Sequence, residues 1–529
     1  MLRSRMAEEM IENLKMNTKA IEKHFPIIKN HNGYGDKLMN PLQRRSFLKT
    51  ASGGIATGFI ASFFPTVSLV GNAAAPIKDE TFSNGKDATK ILAQYSLNTK
   101  YEDLPTAIVK EVKRAFVNYV GVTLGSSRHE AVDISIKALR PVSGSKQATV
   151  LGRRERFDAL NAAFINGVSS HVFDFDDTHL VTNVHAAGPI ASALLAYSEM
   201  EPISGKEFTN ALYLGIELTC RLSNALAPNH ADIGWHVSGT HPTIGAAAAI
   251  GRLMRLNEEQ MIWALGLAAS QPVGFRDSFG SMNKSFNPGR AAANGLFAAL
   301  LAQKNFTSSN QMIEARIGWA NAMSTKHDYQ ELLGDLGSRF ETAKDTYKPF
   351  ACGIVIHPAI DAAIQLRDQY HLQPDQIKSI QYKGNPAVLE LTGKIAPKNG
   401  LEGKFSVYHS VAIAIIDGRA GEKQYSDSVV RDPKTIALRD KIDVQVDPKI
   451  PKKSGDLTIT LYDGRILNKF IESAVGGIEN PMTDAQLDAK FIDLTDGILS
   501  REKSKSLLAD CWKIDQLQNI EKFVKSTAA

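Results

Sequence analysis

Between Asp174 and His185 the chain runs Asp-Phe-Asp-Asp-Thr-His, and six residues separate Thr178 from His185. Three carboxylates within four positions repel one another and cost stability unless something uses their charge. They follow a helical pattern and precede an Ala-rich helix expected at 187–200, so they fall at a junction, where chains offer catalytic groups to a cleft. A helix-capping cluster on a solvated surface is the plainer reading. Metal binding is another, since Asp and His are hard-to-borderline ligands, although no E-x-x-H or H-x-x-x-H spacing accompanies them. We read the segment as part of an active site for a small polycarboxylic acid.

A second polar knot is Gly234-Trp235-His236-Val237-Ser238-Gly239-Thr240-His241. It reads as a Gly-rich loop carrying His236 and His241 ahead of another Ala-rich helix, whose first amides can hold a carboxylate. Lys284 and Arg290 flank Pro288-Gly289, and both side chains suit carboxylates, Arg by a bidentate fork. Lys348 and His357 stand where the sequence pattern changes character. Taken singly, each cation reads as a surface charge and each histidine as structural.

Together these types describe acid–base chemistry on a carboxylate substrate. Removing a proton beside a carboxylate builds negative charge, which Lys284, Lys348 and Arg290 would offset in a dry cleft. A histidine titrates near working pH, so His185 and His236 are the expected proton carriers, with Asp174 orienting one of them. Cys220, Cys352 and Cys511 are isolated and form no C-x-x-C, which argues against an iron–sulfur centre.

The elements that must hold these groups read as mainly α. Apolar periodicity predicts helices at 105–124, 159–171, 187–200, 206–226, 245–256, 258–270 and 289–304. Strands are expected at 376–383 and 441–447, and a hairpin joins 457–462 to 466–471 through Asp463-Gly464. The division follows: a large helical domain over 83–344, a smaller α+β lid over 345–477, and C-terminal helices over 478–529 returning to the first domain.

Charge adds an exclusion. Residues 1–75 carry ten Lys/Arg and five Asp/Glu, which is the whole of the net +5, so the rest of the chain is balanced. A fold that binds nucleic acid concentrates cations in its folded part, and this one does not. At the front, Arg44-Arg45-Ser46-Phe47-Leu48-Lys49, an apolar run over 51–70 and Asn72-Ala73-Ala74-Ala75 make a twin-arginine export signal over 39–75. Periplasmic residence and the twin-arginine machinery as partner follow; an uncleaved anchor is the alternative. Residues 1–38 read as an extension upstream of a start at Met39.

The ordered set of motifs resembles the MmgE/PrpD family, which includes 2-methylcitrate dehydratase and cis-aconitate decarboxylase. The strings are 166–178, ending Asp-Phe-Asp-Asp-Thr; His236 with Gly239-Thr240-His241; 280–284; 288–292; 347–350; 357–362; 404–406; and 417–419. The resemblance covers roughly residues 85–500. It implies a large helical domain with a smaller α+β lid, a site in the cleft between them, a homodimer, and no cofactor. Position by position it implies catalytic roles for Asp174, His185, His236, Lys284 and Lys348; His179, His241, Arg290 and His357 are the added substrate-binding candidates. Two departures stand out. The segment before His185 is one residue longer than in the decarboxylase branch, which would displace His185 or pass part of its role to His179. The stretch 385–388 lacks the Tyr that this branch carries in its lid, which weighs against strict cis-aconitate decarboxylation.

The expected activity is a metal-independent lyase that eliminates water, or CO2, from 2-methylcitrate or a related acid. An isomerase or epimerase of an amino- or imino-dicarboxylate would use the same two histidines. A metal-dependent hydrolase built on Asp174, Asp176, Asp177 and His185, and a periplasmic carboxylate-binding protein, are further alternatives.

Overall fold

The computed structural model describes residues 85–529; the twin-arginine signal and the segment ahead of it lie outside the described residues. All described residues fall in one unit spanning 70–529. Its first part is built around α1 (Ala88–Asn98), α2 (Thr106–Gly125), α3 (Ala159–Val172), α4 (Ala187–Ser198), α5 (Gly205–Leu226), α6 (Val237–Leu253), α7 (Glu258–Ala269) and α8 (Asn283–Gln303). Local chemistry explains where several begin. Ser204 and Glu207 form a reciprocal capping box for α5, Asn257 and Gln260 one for α7, and Asp158 caps α3.

Small residues set how closely these helices approach. A Cβ added at Gly167 of α3 would lie 2.7 Å from the Gly289 Cα of α8. One added at Gly245 of α6 would lie 2.5 Å from the Gly215 carbonyl of α5. Both crossings are thus backbone-on-backbone, and α8 packs along α6 and α3.

Two helices begin earlier than the periodicity predicts. α6 starts at Val237 rather than 245, and α8 at Asn283 rather than 289. Pro242 and Pro288 read as breakers in sequence, yet each sits inside its helix, where it removes one intrahelical hydrogen bond without ending the helix. His241 therefore belongs to a helix and not to a Gly-rich loop, and Lys284 projects from the first turn of α8.

A short ribbon joins the first part to the second. β1 (Asp177–His179) pairs antiparallel with β2 (Asp345–Tyr347), with Asp177 opposite Tyr347. The α+β part then follows: α9 (His357–Tyr370), β3 (Ile377–Gly384), α10 (Ala387–Thr392), α11 (Val407–Asp417), β4 (Ile442–Val446), β5 (Gly455–Leu461) and β6 (Ile466–Ile471). The sheet order is β4-β3-β5-β6, with β4 parallel to β3 and the other neighbours antiparallel. Leu457, Ile459 and Leu461 alternate inward along β5, and α9 packs on that side of β5 and β6. α12 (Asp484–Thr495), α13 (Arg501–Trp512) and α14 (Ile520–Ser526) close the chain, and α12 packs on α2. That return carries Lys490 to the back of the site described next.

Candidate active site

The chain leaves α3 through an unusual turn. Asp174 takes a left-handed backbone conformation, φ 50°, which a side-chain-bearing residue adopts only when its surroundings enforce it. Three buried lysines from the second half of the chain supply the enforcement. Lys404 donates to the Phe173 carbonyl (2.8 Å), Lys348 to the Asp174 carbonyl (3.1 Å) and Lys490 to the Phe175 carbonyl (2.7 Å). Lys490 also donates to Asn118 Oδ1 and to the Lys348 carbonyl, both at 2.8 Å, so three oxygens use all three of its ammonium protons. Burial draws its pKa well down, while the Phe175 ring face lies 3.8 Å from the charge.

The Asp174 carboxylate faces two of the predicted lysines. Its Oδ1 accepts from Lys348 Nζ at 2.5 Å and from Lys284 Nζ at 3.2 Å, while Oδ2 is buried without a partner. Burial opposes the charge, but Lys284 and Lys348 hold the carboxyl well below the usual range. Lys284 is drawn below its ordinary value by burial, with Lys348 adding repulsion; Lys348 is lifted by Asp174 and Asp176 in spite of its burial.

The histidines complete the wall. His185 donates from Nδ1 to the Asp177 carbonyl at 2.6 Å, which leaves Nε2 of the neutral ring as an acceptor. Residues 179–184 fold into a turn closed by His179 N–H to the Val184 carbonyl, with Asn183 left-handed. His185 follows this turn and lines the cavity described below, and its backbone N–H is fixed by Ser238 Oγ of α6 at 3.0 Å. His236 caps the start of α6 and takes the Asn287 amide N–H on Nδ1 at 2.9 Å, so neutral His236 carries its proton on Nε2. Burial lowers both imidazoles well below their ordinary value, and Lys284 adds to the effect on each.

Asp174, His185, His236, Lys284 and Lys348 line one cavity of about 200 Å³, closed on its other sides by Phe279, Phe405, Ile354, Leu391, Arg276 and Glu390. Asp177, by contrast, caps α4 by accepting from the Ala186 and Ala187 N–H groups (2.9 and 2.8 Å). Burial and Asp176 push it up to about 7.

The substrate-binding candidates divide. His241 lines the cavity, but its Nδ1 is taken by Ser223 Oγ at 2.7 Å. His179, Arg290 and His357 are not among the residues lining it. His179 is fully buried between Thr182 Oγ1 (2.9 Å) and Glu341 Oε2 (3.2 Å), with both ring nitrogens held there. Arg290 bonds Asn294 one turn along α8, and His357 packs edge-on to Phe350.

Sequence reading gave no role to His171, Asn287, Lys404 and Lys490. His171 sits one turn of chain before Asp176, a local spacing that could have marked it; the lysines are linked to Asp174 only by the fold. His171, Asp176 and His185 bring three possible ligand atoms within 4.8 Å of one another. His171 Nδ1 donates to Asp176 at 2.6 Å, and its Nε2 faces the Lys284 ammonium at 2.8 Å.

Comparison with known proteins matches two family models in chain order: the MmgE/PrpD N-terminal domain over residues 90–332 and the MmgE/PrpD C-terminal domain over 350–514. A cis-aconitate decarboxylase of Aspergillus terreus is 23% identical over 473 residues, covering 84% of this chain and 96% of that protein. The human cis-aconitate decarboxylase is 24% identical over 452 residues, 82% and 93% of the two chains. A 2-methylcitrate dehydratase of Cupriavidus necator is 22% identical over 384 residues, 66% and 75% of the two.

Proposed function

Because this chain belongs to the MmgE/PrpD family, we propose that it is a lyase releasing CO2 or water from a small di- or tricarboxylic acid. The observation that carries this reading is the pair Lys284 and Lys348, both buried on one carboxylate and both lining a cavity that also presents His185 and His236. A substrate carboxylate entering there meets two cations whose charge, among the described residues, Asp174 alone balances at hydrogen-bond range.

Decarboxylation is the first reading, supported by relatives of that name that match nearly end to end. The C–C bond to the departing carboxylate breaks, and its electron pair passes into the carbon framework, stabilised by a neighbouring carboxylate held on the lysines. A proton then ends on carbon. Burial disfavours the charged imidazole at both His185 and His236, and Lys284, an ammonium lining the cavity whose pKa burial draws down, is the group we place as donor. Solvent restores its proton. His236 Nε2–H holds a second carboxylate.

Dehydration is the second reading, favoured by the free acceptor Nε2 of His185 and by the absence of Tyr from 385–388. There His185 takes a proton from carbon while Lys284 protonates the departing hydroxyl, which leaves as water. Incubation with cis-aconitate and with 2-methylcitrate, following CO2 release and unsaturated product, tests both. Turnover of either acid, unchanged by chelator, is expected; activity that chelator abolishes, or turnover of neither acid nor any other polycarboxylate, contradicts the proposal.

Periplasmic residence by the twin-arginine route is supported by Arg44-Arg45-Ser46-Phe47-Leu48-Lys49, and a homodimer by the family resemblance. Cell fractionation and sizing in solution test them.

A further inference from the structure

Lys284 makes a contact that the reaction above does not use. Its Nζ lies 2.8 Å from His171 Nε2, and that histidine is buried behind the cavity wall and is not among the residues lining it. His171 Nδ1 in turn lies 2.6 Å from Asp176 Oδ2. A carboxylate accepts only, so the His171 proton is on Nδ1 and its Nε2 offers a lone pair to the ammonium. Lys284 therefore has two of its three protons held, one by His171 and one by Asp174, and the third is left for the cavity that Lys284 lines.

We infer that His171 is a positioning residue for Lys284, and that Asp176 is the anchor that sets the His171 ring and tautomer. The inference rests on the reading of this cavity as the active site. Without the imidazole acceptor, the flexible Lys284 stem can turn its ammonium wholly onto Asp174, and the proton it offers substrate is lost from its place. Displacement on the scale of 1 Å costs on the order of 10²-fold in rate. The same carboxylate lies 3.4 Å from His185 Nδ1 through Oδ1, but that ring is already fixed by the Asp177 carbonyl at 2.6 Å. His185 thus serves as an internal control: its tautomer does not depend on Asp176. The charged groups acting on this chain of contacts are Lys348 and Lys490 from the second half of the molecule, and Asp174 and Asp177 from the same segment.

The experiment has two arms. In the first, histidine-selective 15N labelling of the full protein reports ring tautomers by NMR, with the His171 signals assigned by their loss in His171→Gln. A proton on Nδ1 is expected for both His171 and His185 in the parent protein; a proton on Nε2 of His171 overturns the inference, whatever the substrate proves to be. The second arm measures kcat and KM against pH on an acid the parent protein turns over. His171→Leu is expected to lower kcat on the order of 10²-fold with little change in KM, and to move the alkaline limb to lower pH, because the ammonium has lost an acceptor. His171→Gln, which restores an acceptor oxygen, is expected to recover part of the rate. Asp176→Ala combined with His171→Leu is expected to be no slower than His171→Leu alone. Parent-like kcat and alkaline limb in His171→Leu, or additive losses in the double variant, overturn it. If the parent protein turns over no polycarboxylate, the lyase reading fails while the tautomer result still decides the contact.

Discussion

Two stretches of this molecule carry neighbouring buried histidines, and they have been put to different uses. In one, His171 and His185 stand with their rings 4.8 Å apart; in the other, His230 and His241 are 4.5 Å apart. All four are buried, and burial lowers the pKa of each. The difference is what completes their hydrogen bonds. His230 spends both nitrogens on the protein, one on the Met323 carbonyl and one on Thr240 Oγ1, each at 2.9 Å, and His241 is tied to Ser223. The first pair instead lies beside Lys284, which contacts His171 Nε2 at 2.8 Å and Asp174 Oδ1 at 3.2 Å, next to the turn where left-handed Asp174 presents three successive carbonyls to Lys404, Lys348 and Lys490. His230 and His241 line the same cavity, and His241 Nε2 has no hydrogen-bond partner among the described residues, so what sets the first pair apart is the buried lysine charge beside it.

Replacement of Lys348 by Met should do most to break this contrast. It removes the shorter cation contact on Asp174 and an anchor of the turn, so kcat/KM should fall by roughly 10³-fold and stability by about 3–5 kcal/mol, read from steady-state kinetics and urea unfolding. Next, His185→Gln should lower kcat of a dehydration by about 10²–10⁴-fold, whereas His230→Asn, at a lining residue whose two nitrogens the protein already holds, should lower kcat far less and cost ~1–3 kcal/mol through the hydrogen bonds it orphans. Equal kinetic losses in the two histidine variants would erase the distinction.

The pH behaviour sharpens it further. Lys284 must be charged to act, and burial beside Lys348 places its pKa below the ordinary 10.5. Activity should therefore fall on the alkaline side before a normal lysine titrates. Stability should follow a second pair. Asp177, pushed up to about 7 from an ordinary 3.8, and Asp345, also raised by burial and by Asp177, disfavour the charged form when folded. Their penalty is absent below pH 3.8, grows as pH rises toward 7, and persists above. Replacing Asp345 by Asn should flatten that decline and raise Tm at pH 8, by the smallest margin of these effects.

How much of this was legible in sequence depended on range. The hairpin β5–β6 follows from Asp463-Gly464, and the helix bounds follow from apolar spacing, because both are local. The starts of α6 and α8 were hidden by Pro242 and Pro288, which read as breakers but lie inside these helices. Asp174, His185, His236, Lys284 and Lys348 were legible as residue types fit for one chemistry. Lys404 was marked only as part of the string 404–406, with no role, and Lys490 not at all, since 231 and 315 residues separate them from the carbonyls they hold. A lone lysine in sequence reads as a surface charge until a fold buries it.

The central claim is that Lys284 and Lys348 hold and protonate a small polycarboxylate in this cavity. An NMR time course of cis-aconitate and 2-methylcitrate with the parent protein and with Lys284→Met tests it most directly. The account predicts consumption of at least one acid by the parent protein and a rate at least ~10²-fold lower in the variant. Equal rates in the two proteins would contradict it.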